Sequence, residues 1–228
     1  MKNRVYKGLF AIAMLGALAF AFTGCKSKKA ETAGADTCFV YTDGLLDDLC
    51  ALEYLSKRYD HAVILLQNPE GLKDSPYGSP SVTDGGVFLE AVHKWFPDAV
   101  SYADGTDVAK ADFYLLAPLT EYAALLKKHP EFGEKNTLMM AGDEKGPDGA
   151  GEDWNAIMDI EAYRYVSENV SDLFQVTRPD CEGAYEKNGY PFEAEYLDEY
   201  ISRMSAIDEN VCCYDLQAVA LRDNNSNP

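Results

Sequence analysis

Apolar and polar positions follow two rhythms along this chain, and the rhythms alternate. Short β-branched or apolar runs at 38–42, 62–66, 99–102, 113–116, 136–140 and 173–177 read as strands buried on both faces. Between them, apolar residues recur at helical spacing. Residues 47–59 carry Leu49, Leu52 and Leu55 on one side, and 82–95, 119–129, 159–168, 192–207 and 215–221 also read as helices. A last short strand is expected at 211–213. Turn chemistry marks 67–71, a further loop spans 74–80, and 141–152 is rich in Gly and Asp. This alternation predicts an α/β domain over 37–228, with a mostly parallel sheet and helices on both faces. Ligands of such sheets bind beyond the carboxyl ends of the strands. Asp43, Asn68, Leu116, the Ala141 loop and Asp215 are expected at that edge.

The first strand-to-helix junction concentrates the chemistry. An apolar run ends at Asp43-Gly44, and Asp47-Asp48 then open an apolar helix. Carboxylates in the first helical turn complement the helix dipole. Three of them converging at a strand end repel one another unless something positive lies between them. A hard divalent cation such as Ca²⁺, which takes several oxygen ligands, answers that need. The alternative is that Asp47 caps the helix, Asp48 complements its dipole and Asp43-Gly44 is a turn.

The amino-terminal segment has a different character. Lys2, Arg4 and Lys7 precede an apolar stretch at 8–22, and Phe22-Thr23-Gly24-Cys25 resembles a bacterial lipobox. Residues 1–24 therefore read as a signal peptide, Cys25 as the lipidated residue and 25–36 as a flexible tether on a membrane. The expectation is an exported, lipid-anchored envelope protein. Removing 1–24 takes away three positive charges and moves the formal charge from −18 to −21. So acidic a domain is a poor partner for nucleic acid, whose binding relies on Lys and Arg.

The remaining residue types narrow the chemistry further. Five cysteines beyond Cys25 fit no zinc spacing. Cys38 and Cys50 read as buried thiols, while a disulfide from Cys181 to Cys212 or Cys213 stays open. His61, His93 and His129 are the only histidines, and none falls at the strand-end edge. No nucleophile elbow is present. A dehalogenase-type Asp-x-Asp-Gly-Thr reading would put Tyr41 at the nucleophile and Leu45 at the threonine, so it fails. Tyr185, Tyr190, Tyr196 and Tyr200 either stack on a ligand ring or pack along the late helix.

Five segments, in order, resemble the nucleoside hydrolase family of inosine-uridine-preferring enzymes. Asp43-Gly44-Leu45-Leu46-Asp47-Asp48 resembles its amino-terminal aspartate cluster. Leu115-Leu116-Ala117-Pro118-Leu119-Thr120 is similar to its Gly-Pro-Leu-Thr segment, and Leu138-Met139-Met140-Ala141-Gly142 to its strand ending Met-Gly-Gly. Asp153-Trp154-Asn155 followed by Asp159-Ile160-Glu161-Ala162 resembles Glu-Phe-Asn and Asp-Pro-Glu-Ala. Tyr214-Asp215-Leu216-Gln217-Ala218-Val219-Ala220 resembles His-Asp-Pro-Leu-Ala-Val-Ala. The resemblance implies calcium-dependent hydrolysis of an N-ribosyl bond, with a nucleoside or related ribosyl compound as substrate. It implies Asp43 as metal ligand and base, with Asp48, Asp215 and the Leu116 carbonyl as further ligands. Asp47, Asn68, Asp153 and Asn155 would bind the sugar, and Tyr214 would lie near the leaving base.

The departures are equally specific. Tyr41 replaces the family's first aspartate, and Tyr214 a histidine expected to assist the leaving base. A phenol donates a proton less readily at neutral pH than an imidazolium does. No asparagine occurs in 141–152, and the chain ends soon after the Asp215 helix. The alternative implied by these losses is a catalytically weak relative that binds a nucleoside or sugar.

Overall fold

The computed structural model describes residues 35–67, 85–142, 153–206 and 211–226. Six strands form one sheet: β1 (Thr37–Thr42), β2 (His61–Leu66), β3 (Val100–Ser101), β4 (Asp112–Leu115), β5 (Asn136–Met140) and β6 (Asp172–Val176). Every neighbouring pair is parallel, in the order β3-β2-β1-β4-β5-β6. The chain thus starts in the middle of the sheet, winds to one edge, then returns and winds to the other. Cys25 and the expected tether up to Gly34 lie outside the described residues, as does Asn68.

Eight helices flank the sheet among the described residues: α1 (Leu46–Leu55), α2 (Gly85–Val92), α3 (Thr120–Lys128), α4 (Trp154–Ile157), α5 (Ile160–Asn169), α6 (Arg178–Asn188), α7 (Leu197–Met204) and α8 (Tyr214–Ser226). Alternate strand residues divide the core into two layers. Cys38, Val40, Ile64, Tyr114 and Leu138 pack against α1, α2, α7 and α8. Phe39, Tyr41, Phe113, Leu115 and Met139 pack against α3, α5 and the 3₁₀ turn Pro130–Glu134. Strands covered on both sides must be apolar at nearly every position, which is why the runs carry no polar alternation.

Three expectations are corrected. Residues 211–213 join no strand pairing; the Cys212 carbonyl instead accepts the Tyr200 hydroxyl at 2.9 Å. The late helix starts at Leu197 rather than Phe192, because the Phe192 ring lies against Tyr54, 5.7 Å between centroids, with the Lys57 ammonium over it. Helix α6 is additional. It buries only Cys181, so it has almost no apolar stripe to announce it. Its start is set locally: Thr177 accepts from the Asp180 N–H while Asp180 accepts from the Thr177 N–H at 2.8 Å, with Pro179 in the first turn.

A polar network closes the amino end of the sheet. Asp112, 8% exposed, accepts the Tyr59 hydroxyl at 2.6 Å and the Asn136 amide at 3.0 Å. Arg222 of α8, 3% exposed, donates to the carbonyls of Phe113 and Asn136, each at 3.0 Å, and lies 3.8 Å from Asp112. Helix α1 stops at Leu55, short of the expected Tyr59, and the turn that follows brings Arg58 and Tyr59 into this network. Removing one member of a buried, paired group strands its partners. Arg222→Met is therefore expected to lower the free energy of unfolding by about 3 kcal/mol in a denaturant titration. A loss below about 0.5 kcal/mol, the usual range of surface substitutions, would show that α8 is not fastened there.

Candidate functional site

The winding direction reverses between β1 and β4, and the crevice beyond their carboxyl ends is where open α/β sheets take ligands. Asp43 directly follows β1, and Leu116 directly follows β4. Gly44 then turns the chain towards α1 with φ of 80°, a backbone conformation that a side chain would strain. Its N–H is taken by the Thr42 hydroxyl at 3.0 Å, which fixes the turn.

Helix α1 delivers the next two acids. Asp47 does not cap it, since Leu45 holds that position. Asp48 reaches back with Oδ2 to the Leu45 N–H at 2.9 Å, as the third helical residue of a capping pair does. Its other oxygen, and Oδ1 of Asp47, are buried and meet no ordinary hydrogen-bond donor among the described residues. Helix α8 supplies Asp215 in its first turn. One carboxylate oxygen each from Asp47, Asp48 and Asp215 lies within 4.8 Å of the other two. Asp43 and Asp215 flank Asp48 in this group. The capping reading therefore accounts for one oxygen of Asp48 and leaves the rest of the cluster unexplained.

The electrostatics decide what such a cluster needs. Two unit charges 4.8 Å apart repel by roughly 3 kcal/mol at an effective dielectric near 20. The dipoles of α1 and α8 offset about 0.3–1 kcal/mol for each carboxylate at a helix N-terminus. Repulsion wins, so the acids hold protons or gather a cation. With no cation, burial holds the Asp43 carboxyl up to about 6. Burial and the neighbouring Asp43 charge hold Asp47 up to about 7. Asp48 and Asp215 are driven well above the usual carboxylate range, both first by burial, then Asp48 by the charge of Asp215 and Asp215 by the charge of Asp47.

The cleft above the acids opens to solvent and is lined by Asp43, Asp47, Leu116, Asp153, Asn155, Tyr214 and Asp215, among others. Eight of the residues singled out in the sequence, counting Asp48 within the acid group, thus converge; Asn68 lies outside the described residues. Asn155 donates to the carbonyls of Met140 at 2.9 Å and Leu116 at 3.3 Å, tying the ends of β4 and β5 together. Asp153 is the N-cap of α4, accepting the Ala156 N–H at 3.1 Å, and burial raises its carboxyl to about 7. Tyr214 donates to Glu182 and accepts from Arg178, both at 3.0 Å. Tyr41 points to the opposite face and donates to the Pro118 carbonyl at 2.6 Å, so it supports the loop after β4 rather than the acids.

Other lining residues escaped the sequence reading: Trp154, Met140, Met204, Val211, Cys212 and above all Arg178. The signal for Arg178 was the capping pattern Thr177-Arg178-Pro179-Asp180 at the end of the sixth strand. Of the four late tyrosines only Tyr200 lines the cleft; Tyr185 and Tyr190 pack against each other at a tilt, 4.6 Å between centroids. The three histidines all lie elsewhere. All five described cysteines are free thiols, so Cys181 forms no disulfide with Cys212 or Cys213. Compared with models of protein families, with curated proteins and with solved structures, the chain matches none.

A carboxyl whose folded pKa lies above its unfolded value near 3.9 keeps a proton that the unfolded chain has released. The stability this gives is present below about pH 4 and is lost as pH rises through about 6 to 7, where Asp43, Asp47 and Asp153 ionise. In chelator, the melting temperature is expected to fall between pH 4 and pH 7.5. Asp48→Asn should flatten that slope and raise the melting temperature at pH 7. A melting temperature that climbs with pH across this window would contradict the buried-cluster electrostatics.

Proposed function

We propose that this protein is a calcium-dependent hydrolase of an N-ribosyl bond, acting on a nucleoside or related ribosyl compound. The observation that carries the reading is the group Asp47, Asp48 and Asp215 at the switch point, with buried oxygens of Asp47 and Asp48 that meet no ordinary donor among the described residues. Hard carboxylate and carbonyl oxygens in this number fit Ca²⁺ rather than a softer metal. Asp48, Asp215, Asp43 and the Leu116 carbonyl would hold the ion. When bound, it would gather a vicinal diol and a water and lower the water's pKa.

The chain's own groups do the rest in this reading. Asp43, rigidly placed by the Gly44 turn, takes the proton of the attacking water. Asn155, its amide nitrogen pinned to two main-chain carbonyls, presents its oxygen to a sugar hydroxyl at a fixed place. Asp153 and Asp47 border the same sugar. In the resemblance Asp47 is a sugar ligand; its approach to Asp48 and Asp215 lets it serve the ion as well. Trp154, Met140 and Tyr200 wall the cleft and restrict water around a charged sugar as the bond breaks. The lipid-anchored tether at Cys25 belongs to the same proposal; loss of lipid labelling in Cys25→Ser would support it.

A second reading, a nucleoside or sugar binder without turnover, is favoured by one observation. The Tyr214 hydroxyl is already committed to Glu182, and no histidine lines the cleft.

Two measurements follow. Calorimetric titration of the chelator-stripped protein with Ca²⁺ should give one tight site, lost in Asp48→Ala; absence of binding removes the mechanism. Asp43→Ala should cut nucleoside turnover by at least about a hundredfold with the fold intact, the usual weight of a general base. Unchanged turnover in that variant would refute the assignment, and no turnover of any riboside by the parent would favour the binder.

A further inference from the structure

The acids of the cleft are faced by one cation among the described lining residues, and nothing in the proposed reaction uses it. Arg178 stands at the start of α6, in the cleft wall beyond the end of β6. Three of its contacts hold it there. A guanidinium N–H donates to the Tyr214 hydroxyl at 3.0 Å, the guanidinium carbon lies 5.0 Å from the centre of the Tyr214 ring, and Glu182 is 3.7 Å away. The Glu182 contact is an i,i+4 pair with that carboxylate 39% exposed and is longer than a hydrogen bond, so it is a weak, solvent-screened support. Tyr214 is the firmer support, because its own proton is directed to Glu182 and its oxygen is thereby turned to Arg178.

The cleft thus combines two unlike kinds of group. The carboxylates suit a cation and a polyol. The flat, always-charged fork of Arg178 lines the same cleft with Trp154, Met204, Val211 and Cys212, and its charge also reaches Asp153. A guanidinium in such a lining recognises a planar anion by donating charge-assisted hydrogen bonds in its plane. It gives up no proton at any accessible pH. Asp153 is engaged as the acceptor for the Ala156 N–H, and Tyr214 is engaged by Glu182. Arg178 therefore offers the ligand stabilisation of negative charge and no proton.

We infer that Arg178, held by Tyr214, is the specificity-determining residue for the non-sugar half of the ligand and selects a planar group that is anionic or leaves as an anion. The inference rests on reading the cleft as a ribosyl-compound site, and it narrows the substrate class. It favours ribosyl compounds whose heterocycle carries carbonyl oxygens beside the glycosidic nitrogen and departs without protonation. In that departure the C–N bond breaks with both electrons going to the ring. The water's oxygen bonds to the sugar carbon, and its proton goes to Asp43.

The test is calorimetric binding to the full chain at pH 7 with Ca²⁺ present, using three probes: barbiturate, a planar heterocyclic anion; uracil, a neutral ring of similar size; and D-ribose. Barbiturate should bind at least about tenfold more tightly than uracil, as one charge-assisted pair provides. That preference should vanish in Arg178→Met, shrink partly in Tyr214→Phe, and leave D-ribose binding unchanged. Equal affinity of the parent for barbiturate and uracil overturns the inference, even where Arg178→Met fails to fold. So does a preference that survives Arg178→Met. An intact, Arg178-dependent preference without any D-ribose binding would sink the ribosyl reading and leave the anion subsite standing.

Discussion

Carboxylates driven together out of water are the constraint on which this protein's design turns. Nothing on their own elements neutralises Asp47, Asp48 and Asp215, and the two helix dipoles aimed at them are too weak to do so. The sheet and helices must therefore act as a frame that holds a repulsive group in place. It does so from three directions: β1 ends at Asp43, α1 begins beneath Asp47 and Asp48, and α8 brings Asp215 from the far end of the sequence. A frame assembled from such distant segments cannot relax one acid without moving a core element.

That explains the investment at the opposite end of the sheet. Helix α8 is a lever with an acid at one tip and Arg222 near the other. Arg222 bonds main-chain carbonyls at the amino ends of β4 and β5, and Arg58 ties Asp223 to Asp112. Helix α8 also packs along α1, where Cys50, Leu216 and Val219 are fully buried. Side-chain hydrogen bonds to strand carbonyls are directional, so they fix rotation of the helix about its own axis in a way that apolar packing alone does not. The position of Asp215 is thus determined about two turns away from Asp215.

Much of this was legible in the residues. The six strand runs, buried on both faces, stand out because a parallel sheet demands apolar residues everywhere, and all six were found within two residues of their ends. The site acids were legible because Asp43, Asp47 and Asp48 follow a strand in a pattern that no apolar core would choose. What was hidden was hidden for physical reasons. Helix α6 buries one residue, so periodicity is silent about it, and its cap is the whole signal. The segment 211–213 is apolar because it lies under Tyr200 and against α1, a demand that looks identical to that of a strand. Arg178 was overlooked because its partner, Tyr214, is 36 residues away, and a side-chain bond across that distance leaves no trace in local pattern.

The five thiols have a consequence of their own. Each sits at 1% exposure or less in one core layer, on four separate pieces of the chain: Cys38 in the central strand, Cys50 on α1, Cys181 on α6, and Cys212 and Cys213 in the strap leading to α8. A reagent cannot reach any of them without an opening of the structure around it. The rates at which they become modified are accordingly clocks, each timing the breathing of the piece of chain that carries it. The strap clock runs next to Asp215, so it reads how often the frame around the acids comes apart.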